Sequence, residues 1–402
     1  MNGQRKKILI VLPALKVLGG GEAVAVWMLE ALKDDYDLSV LTWEVADTRE
    51  LNRVYGTSLT SADFKVLGPA RLPRYVFDRI VEWNQDHYFQ KACLLYRLAQ
   101  QRKDDFDILI SALDEVDFGR PGIQYVHYPG FRRIYETEYK AVSESNGQPV
   151  LKNWSVRLKR RCRPWQIISR FSFERMKQNL TLVNSDWTGT VVRELYGIES
   201  LTVFPPVAGD FPDIPWDRRQ DRFVCIGRFV RFKRIEMVIE ILAAVRAQGQ
   251  DVRLQLIGLL WDDAAGRAYY ETIKRLARAH VSWVTLVESI DREQLIQLLS
   301  ESRYGIHAAE EEPFGLAVAE MVRAGCIAFT GRVGGQAEIV GQDERLLFDT
   351  VEEGTAKILS VLCNPQEQRV LREQLATRRT RFTVQEFVHR IRAVVKEFSA
   401  RQ

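Results

Sequence analysis

The chain has 402 residues, a length that favours two or three domains over one. Hydrophobic residues make up 46% and charged residues 27%, which is typical of a globular protein with buried cores and excludes a disordered chain. The formal net charge of +4 is too small to indicate nucleic acid, and no nucleic-acid partner is expected. The five cysteines are scattered without a C-x-x-C pair, which favours reduced thiols over a disulfide framework or a zinc site.

Strand and helix patterns alternate in the first half of the sequence. The apolar run at 8–12 is typical of a parallel strand covered on both faces. Glycines follow at 19–21, and apolar residues at helical spacing then run from Val24 to Leu32. The further strands predicted in this half are 38–41, 108–111, 123–127 and 180–184. The alternation predicts a doubly wound unit.

A proline-rich segment separates this half from a second one. Pro205, Pro206, Pro212 and Pro215 cannot continue a helix or a central strand, so the segment is predicted to be a linker. Asp291 with Gln294 resembles a capping box that opens a helix. The strands predicted after the linker are 223–226, 254–257, 283–286, 304–307, 327–330 and 345–348.

The predicted fold class is therefore α/β, with two Rossmann-like, doubly wound domains facing across a cleft. The predicted domains are 1–205 and 206–385. A final helix at 386–402 is expected to pack back toward the N-terminal domain. Ligands of open parallel sheets bind at the carboxyl ends of the strands, so the residues that follow strands are the candidate site residues.

The strongest motif runs from Glu310 to Met321, after a predicted strand. Pro313 suits the first turn of a helix, and Gly315 would let the backbone approach a ligand closely. The helix amino end would bind an anion, while Glu312 and Glu320, about two turns apart, could hold hydroxyls of a sugar and a ribose. The alternative is a solvated acidic helix start that suits the helix dipole.

Two cations follow the first predicted strand of the second half. Arg228 offers a planar fork and Lys233 a mobile point charge, and both suit a diphosphate. The alternative is a loop of surface cations, which is the role expected for Arg231 and Arg234.

Glycines and a histidine are the candidates in the first half. Gly20 and Gly21 could contact a ligand through their N–H groups, but their turn lacks the G-x-G-x-x-G fingerprint, and a tight turn explains them equally well. Gly334 and Gly335 form a similar pattern. His127 ends a strand and should point into the cleft, although a lone histidine is more often structural, as is expected of His307. The acidic residues at 114–117 and 262–263 form no trusted D-x-D arrangement, so no metal is expected.

A basic segment at 152–177 is interleaved with aromatic residues. Such a segment could contact anionic lipid headgroups or an anionic acceptor. The alternatives are a solvated helix face and aromatic side chains that face the core. The segment's basic and aromatic residues are Lys152, Arg157, Lys159, Arg160, Arg161, Arg163, Arg170, Arg175 and Lys177, with Trp154, Trp165, Phe171 and Phe173.

Taken together, these motifs resemble the GT-B glycosyltransferases of the large retaining family four. The E-x7-E signature from Glu312 to Glu320, with Pro-Phe-Gly inside it and Gly-Arg…Lys at 227–233, carries the resemblance, which runs from the glycine turn to the final helix. The stretches Val-His-Tyr-Pro at 126–129 and Val-Asn-Ser-Asp-Trp-Thr at 183–188 are most similar to the branch that adds α-1,2-mannose to dolichol-linked oligosaccharide. Enzymes of that branch carry an N-terminal membrane anchor, for which this sequence shows no apolar run.

The resemblance implies roles for these residues. Glu320 would hold the donor ribose, and Glu312 the sugar hydroxyls at the reacting face. Arg228 and Lys233 would stabilise the departing diphosphate in place of a metal. His127 would lie near the anomeric centre. Donor contacts would also come from Gly20, Gly21 and the backbone of Phe314, Gly315 and Leu316.

The expected activity is transfer of a hexose, with mannose favoured, from a GDP- or UDP-sugar to a glycan or lipid-linked acceptor, with retention of configuration and without a cofactor. The alternatives are a phosphorylase-like enzyme and a non-catalytic nucleotide-sugar-binding protein. The expected location is cytoplasmic, with peripheral contact at the inner membrane face as an option that the basic segment leaves open.

Overall fold

A computed structural model describes residues 5–16, 19–68, 87–131, 169–258, 264–288 and 290–401, with only the backbone of 87–91. The chain divides into two compact units. Unit 1 is Met1–Pro206 with Phe387–Gln402, and unit 2 is Val207–Glu386. None of the helices in these ranges combines the length and the apolar character that a membrane span requires.

Unit 1 is built on a parallel sheet of seven strands in the order β5-β3-β1-β6-β7-β8-β9. Its central strands are buried along nearly their whole length, as the apolar sequence runs predict. The chain begins at β1, moves to one edge of the sheet and returns to β6, so the switch point lies between β1 and β6. The strands, with the small β2-β4 pair, are β1 (Lys7–Val11), β2 (Ala14–Leu15), β3 (Asp37–Leu41), β4 (Glu44–Val45), β5 (Phe64–Leu67), β6 (Ile108–Ser111), β7 (Ile123–Val126), β8 (Leu180–Val183) and β9 (Leu201–Thr202).

The helices of unit 1 connect these parallel strands. Asp47 caps the second helix and Ser185 the fifth, each by accepting a hydrogen bond from a backbone N–H of the first turn. Gly56 and Gly197, both left-handed, end the same two helices. The helices are α1 (Gly20–Leu32), α2 (Thr48–Tyr55), α3 (His87–Gln101), α4 (Phe173–Met176) and α5 (Asp186–Tyr196).

Unit 2 repeats the architecture with a parallel sheet of six strands in the order β12-β11-β10-β13-β14-β15. Its switch point lies between β10 and β13, which are paired in the centre of the sheet. The side chains of β13 are almost all buried. The strands are β10 (Gln220–Ile226), β11 (Arg253–Ile257), β12 (Val284–Val287), β13 (Ser302–His307), β14 (Ile327–Gly331) and β15 (Leu347–Phe348).

The helices of unit 2 include the one with the predicted capping box. The Asp291 side chain accepts from the N–H of Gln294, whose own side chain returns to the backbone of Asp291. The helices are α6 (Ile235–Ala247), α7 (Ala264–Ala279), α8 (Arg292–Ser300), α9 (Leu316–Ala324), α10 (Gly335–Ile339), α11 (Val351–Leu362) and α12 (Pro365–Ala376).

The last helix, α13 (Val384–Ala400), begins in unit 2 and runs on into unit 1. In unit 1, Arg392 Nε donates to the carbonyl of Ala31 at 2.6 Å, and Lys6 Nζ donates to the carbonyl of Ser399 at 3.0 Å. The buried side chains of Phe387, Ile391 and Val395 form its apolar face. The end of the chain therefore packs against α1 and the segment before β1.

The predicted class, α/β with two Rossmann-like units, is confirmed. The sequence pattern missed β5 and β9, because these short edge strands are only partly buried and lack a continuous apolar run.

Candidate functional site

The loops that follow β10 and β13 lie side by side in unit 2. The backbone N–H of Glu310 donates to the carbonyl of Phe232 at 3.1 Å, which joins the two loops. A short 3-10 turn at Arg231–Lys233 brings Lys233 toward the end of β13. Because both loops leave the carboxyl ends of neighbouring central strands, they form the switch-point site of the sheet.

Lys233 and Glu312 form an ion pair in this site. Lys233 Nζ donates to Oε2 of Glu312, and their side chains are only 13% and 16% exposed. Burial alone would raise the pKa of the Glu312 carboxyl, but the charge of Lys233, with smaller contributions from His307, the hydrogen bond of Lys233 and the charge of Arg228, outweighs burial and the pKa is lowered. Arg228 is exposed, yet close enough for its charge to act on Glu312. Three of the four predicted catalytic residues therefore converge.

His307 is the other partner of Lys233. Its Nε2 lies 3.4 Å from Lys233 Nζ, and its Nδ1 lies 2.8 Å from Oε1 of Gln336. Burial, and then the charge of Lys233, lowers the pKa of His307 to about 4, so the imidazole is neutral near neutral pH. His307 was expected to be structural, and no role was expected for Gln336. The place of His307 at the end of β13 was the signal that could have indicated a site residue.

Two glycines fix the backbone at Glu312. Gly334 forms a parallel bridge with Glu312, and the N–H of Gly335 donates to the Glu312 carbonyl at 2.9 Å. Gly334 has φ +105°, and a Cβ built on it would lie 2.2 Å from the same carbonyl oxygen. Glycine at 334 is therefore required for the close packing of this turn against Glu312. The sequence pattern alone did not distinguish it from an ordinary turn.

The helix of the E-x7-E segment begins later than predicted. The structure starts α9 at Leu316, after Gly315 with φ +101°, so Pro313 is outside the helix and its predicted place in the first turn is wrong. The left-handed backbone at Gly315 interrupts any helix between Pro313 and Leu316. The side chain of Phe314 is buried against Phe382, with ring centroids 5.9 Å apart.

Glu320, on α9, is held by Arg292, which no sequence motif indicated. Arg292 Nη1 donates to Oε1 of Glu320, and Arg292 Nη2 donates to the carbonyl of Ala208. The Arg292 guanidinium also lies 5.9 Å from the ring centroid of Phe211. Since Glu312 lies outside the helix, different elements position the two acids of the signature, and the predicted two-turn helical spacing between them is wrong.

In unit 1 the predicted residues Gly21 and His127 lie close together. A Cβ built on Gly21 would lie 3.0 Å from Leu113 Cδ1 and 3.8 Å from His127 Nε2. His127 Nε2 lies 3.2 Å from the Ala112 carbonyl, which can only accept, so Nε2 carries the proton and Nδ1 is an acceptor. Burial lowers the pKa of His127 to about 4, which keeps the ring neutral. Gly20 begins α1 beside this pair.

Asp114 holds the backbone at His127. Its Oδ1 accepts from the N–H groups of His127 and Tyr128 at 3.0 and 3.3 Å. Burial, and then the charge of Glu115, raises the pKa of Asp114. Asp114 has φ +59°, a backbone strain typical of functional sites.

The basic segment is only partly described. Residues 152–168, with Trp154 and Trp165, lie outside the described residues, and so do the acids at 262–263. Phe171 stacks on Phe131 at 4.4 Å and packs with Phe173 against the core, as the alternative of core-facing aromatic side chains predicts. Within the described ranges, no group of three or more His, Cys, Asp or Glu side chains is arranged to hold a metal ion.

Comparisons with known proteins place these unit 2 residues within a known family model. Residues 209–378, nearly all of unit 2, match the family model "Glycosyl transferases group 1". Unit 2 therefore resembles the group 1 glycosyltransferase domains. The ion pairs of Lys233 and of Glu320 both lie within the matched range, as does His307.

Several curated relatives are α-1,2-mannosyltransferases by name. The chain is 26% identical over 255 residues to the GDP-Man:Man(3)GlcNAc(2)-PP-Dol α-1,2-mannosyltransferase of Dictyostelium discoideum, covering 58% of this chain and 48% of that protein. The enzyme of that name from Xenopus tropicalis is 29% identical, covering 52% and 46%. The chain thus matches about half the length of these relatives.

Solved structures share the fold over almost the whole chain. HepE (Alr3699) of Anabaena, in complex with UDP and glucose, superposes with a TM-score of 0.64 at 15% identity, covering 98% of this chain and all of that one. Sucrose-phosphate synthase of Thermosynechococcus elongatus gives 0.64 at 16% identity, covering 99% and 100%. These likenesses show the GT-B fold, and the resemblance predicted from the sequence is confirmed.

Proposed function

We propose that this chain is a retaining glycosyltransferase that moves a hexose, with mannose favoured, from a nucleotide-diphosphate sugar to a hydroxyl of a glycan or lipid-linked acceptor. The convergence of Lys233, Glu312 and Arg228 at the switch point of the group 1 domain carries the proposal.

The leaving group of such a reaction is a nucleoside diphosphate, on which negative charge develops as the glycosidic bond breaks. An ammonium has three N–H groups, and the two hydrogen bonds of Lys233 leave one for a phosphate oxygen. Arg228, being exposed, supplies a second cation. Cations already in place stabilise this charge without reorganisation, which is usually the largest catalytic effect. We therefore propose that transfer needs no metal cofactor.

The acids bind the neutral parts of the donor in this proposal. Glu312, kept ionised by its neighbours, would accept hydrogen bonds from sugar hydroxyls, and Glu320 from the ribose. The N–H groups at the start of α9, beside Gly315 and Leu316, would meet the phosphates, because a helix amino end favours anions. His127, with Nδ1 as an acceptor, suits a sugar hydroxyl better than a phosphate.

Mannose and GDP are favoured because the curated relatives are named for GDP-mannose and for α-1,2-mannosyl transfer. The names of these relatives, which include a dolichol-linked acceptor, also favour a lipid-linked acceptor. We favour retention of configuration by attack on the same face of the sugar. A double displacement would need a carboxylate nucleophile, and Glu312, the acid beside Lys233, is engaged in an ion pair instead.

The test is a donor panel. The purified chain is incubated with GDP-mannose, UDP-glucose, UDP-galactose or UDP-N-acetylglucosamine and with mannose-terminated glycans, free or attached to a polyprenyl diphosphate. We expect acceptor-dependent release of GDP, and a product whose new linkage is α by NMR, as in the donor. Binding of every donor without turnover on any acceptor would contradict enzymatic activity, and strict dependence on orthophosphate would favour a phosphorylase.

We further propose a cytoplasmic location with peripheral membrane contact, on the basis of the basic residues at 152–177. Sedimentation with vesicles of phosphatidylcholine alone or with phosphatidylserine tests the contact. We expect binding only to the anionic vesicles, weakened by salt.

A further inference from the structure

A chain of hydrogen bonds runs from β14 to Lys233 behind the Lys233–Glu312 pair. It joins Thr330, Gln336, His307 and Lys233, and the first three side chains are buried, with exposures of 0%, 0% and 1%. Of these four residues, only Lys233 has a role in the function proposed above. The buried part of the chain therefore needs an explanation of its own.

The orientation of the Gln336 amide is fixed by its surroundings. Its Nε2 donates to the carbonyls of Ala309 and Val333, each at 2.9 Å. The amide oxygen therefore faces the other way, where it accepts from Thr330 Oγ1 at 2.8 Å and from His307 Nδ1 at 2.8 Å. A flipped amide would place its NH₂ against groups positioned to donate and its oxygen against two carbonyls.

This orientation determines which nitrogen of His307 carries the proton. Because Oε1 of Gln336 can only accept, Nδ1 of His307 must donate, and Nε2 is left with its lone pair. That lone pair faces Lys233 Nζ at 3.4 Å. An ammonium can only donate, so the two groups match in this tautomer and in no other.

We propose that His307 is a positioning residue which, held in its Nδ1–H tautomer by Gln336, keeps the ammonium of Lys233 at the carboxyl end of β13 in place for the donor diphosphate. The inference rests on the proposed function, since it assigns Lys233 to the diphosphate. His307 itself does not touch the substrate in this proposal.

The tether matters because Lys233 has competing partners. Without a ligand its strongest partner is Glu312, and in the proposed complex the diphosphate attracts the same ammonium. Lysine is a flexible point charge on a long stem, so a second fixed acceptor reduces the positions it can adopt.

A double-mutant cycle separates this role from a purely structural one. The variants are His307→Ala, Lys233→Met and the double variant, assayed for kcat and donor KM with GDP-mannose and the acceptor that turns over. We expect His307→Ala to lower kcat about 10-fold or more, with a smaller change in donor KM, and to have less than about a 2-fold effect in the Lys233→Met background. Equal losses in both backgrounds would overturn the inference.

His307→Gln guards against a variant that fails to fold, since its side-chain oxygen can reach the position of the imidazole Nε2. We expect it to recover most of the kcat that His307→Ala loses. A His307→Gln protein that is folded by circular dichroism but as impaired as His307→Ala would contradict positioning by an acceptor.

A spectroscopic measurement tests the tautomer without any activity. In protein labelled with ¹⁵N-histidine, the His307 signals are assigned by their absence in His307→Gln. We expect a protonated Nδ1 and an unprotonated Nε2 near neutral pH, and the opposite tautomer would overturn the inference. Absence of transfer by the wild type, seen before any variant is compared, would instead contradict the proposed function, whatever the tautomer.

Discussion

Arg292 and Glu320 are joined by a hydrogen bond from Nη1 of the guanidinium to Oε1 of the carboxylate, and a second guanidinium nitrogen of Arg292 donates to the carbonyl of Ala208. Both terminal nitrogens of the guanidinium are therefore engaged, and the one bound to Glu320 orients the acid that we assign to the donor ribose. Arg292 is the first residue of α8, and Glu320 lies in the middle of α9.

We predict that Arg292→Ala weakens GDP binding about 10-fold, because the Glu320 carboxylate is no longer held in one rotamer. Isothermal titration of GDP measures the effect. Arg303→Ala is a matched control, since Arg303 also pairs with an acid, Asp221 at 2.8 Å, and donates to a backbone carbonyl, but lies near the amino end of β13. Equal weakening in both variants would contradict a specific role for Arg292.

The two predicted diphosphate cations give a second prediction. Lys233→Met and Arg228→Ala should each lower kcat, Lys233→Met by roughly 10²–10³-fold, because each removes a charge that stabilises the leaving group. The measurement is initial velocity at saturating donor and acceptor, with circular dichroism to check folding.

Arg231→Ala is the control for the cation experiment, because Arg231 is exposed in the same short turn as Lys233. We expect near wild-type activity from it. Full activity in the Arg228/Lys233 double variant would refute the diphosphate role.

The sequence predicted the parts of the site that depend on strand ends. Apolar runs locate β10 and β13, and residues just after parallel strands must meet at one edge, so Arg228 and Glu312 could be placed together. The partners that came from distant segments could not be found this way. Nothing local to Gln336 or Arg292 indicates that the first fixes an imidazole and the second an acid, because these contacts depend on side-chain packing.

The helix start was mispredicted for a related reason. Proline is common in a first helical turn, and that local preference favoured Pro313 as the start. Gly315, with φ +101° and a would-be Cβ only 3.0 Å from Gln336 Cβ, instead requires a break that is imposed by packing against α10. A glycine in sequence does not reveal which of its uses applies.

Crowding at Gly21 should impair transfer without unfolding unit 1. Gly21 lies in the first turn of α1 without a positive φ, so alanine is compatible with its backbone. We expect Gly21→Ala to keep most of the activity, because its Cβ, 3.0 Å from Leu113 Cδ1, requires only a small shift of that methyl group. Gly21→Leu should lose about 10-fold or more, because the longer side chain would displace Leu113 or His127. Initial rates and thermal unfolding are compared for both variants. If His127 matters, Gly21→Leu should have a smaller effect in a His127→Ala background.

Metal removal gives the fourth prediction. If Arg228 and Lys233 stabilise the diphosphate, transfer should continue after treatment with EDTA, with more than about half of the activity retained. The assay is run on enzyme dialysed against EDTA, with and without added Mg²⁺ or Mn²⁺. Loss of activity that either ion restores would contradict a metal-independent reaction.

The buried imidazole of His307 predicts how stability depends on pH. An unfolded histidine binds its proton near pH 6.5, whereas burial and then Lys233 lower the pKa of His307 to about 4 in the fold. Between these values the unfolded chain binds more protons, so the free energy of unfolding rises with pH. The contribution is fully present above about pH 6.5 and is lost as the pH falls toward about 4, amounting to about 3 kcal/mol.

Urea unfolding of the wild type and of His307→Gln between about pH 4 and 7 isolates this contribution, because all other titrating groups are common to both proteins. The difference in unfolding free energy, wild type minus variant, should decrease as the solution is acidified. The charges that face the ring, Lys233 and Glu312, act in opposite directions on its pKa, so the decrease should be larger in Glu312→Gln, where only the lysine remains. A difference that stays constant with pH would mean that His307 is not buried as a neutral ring.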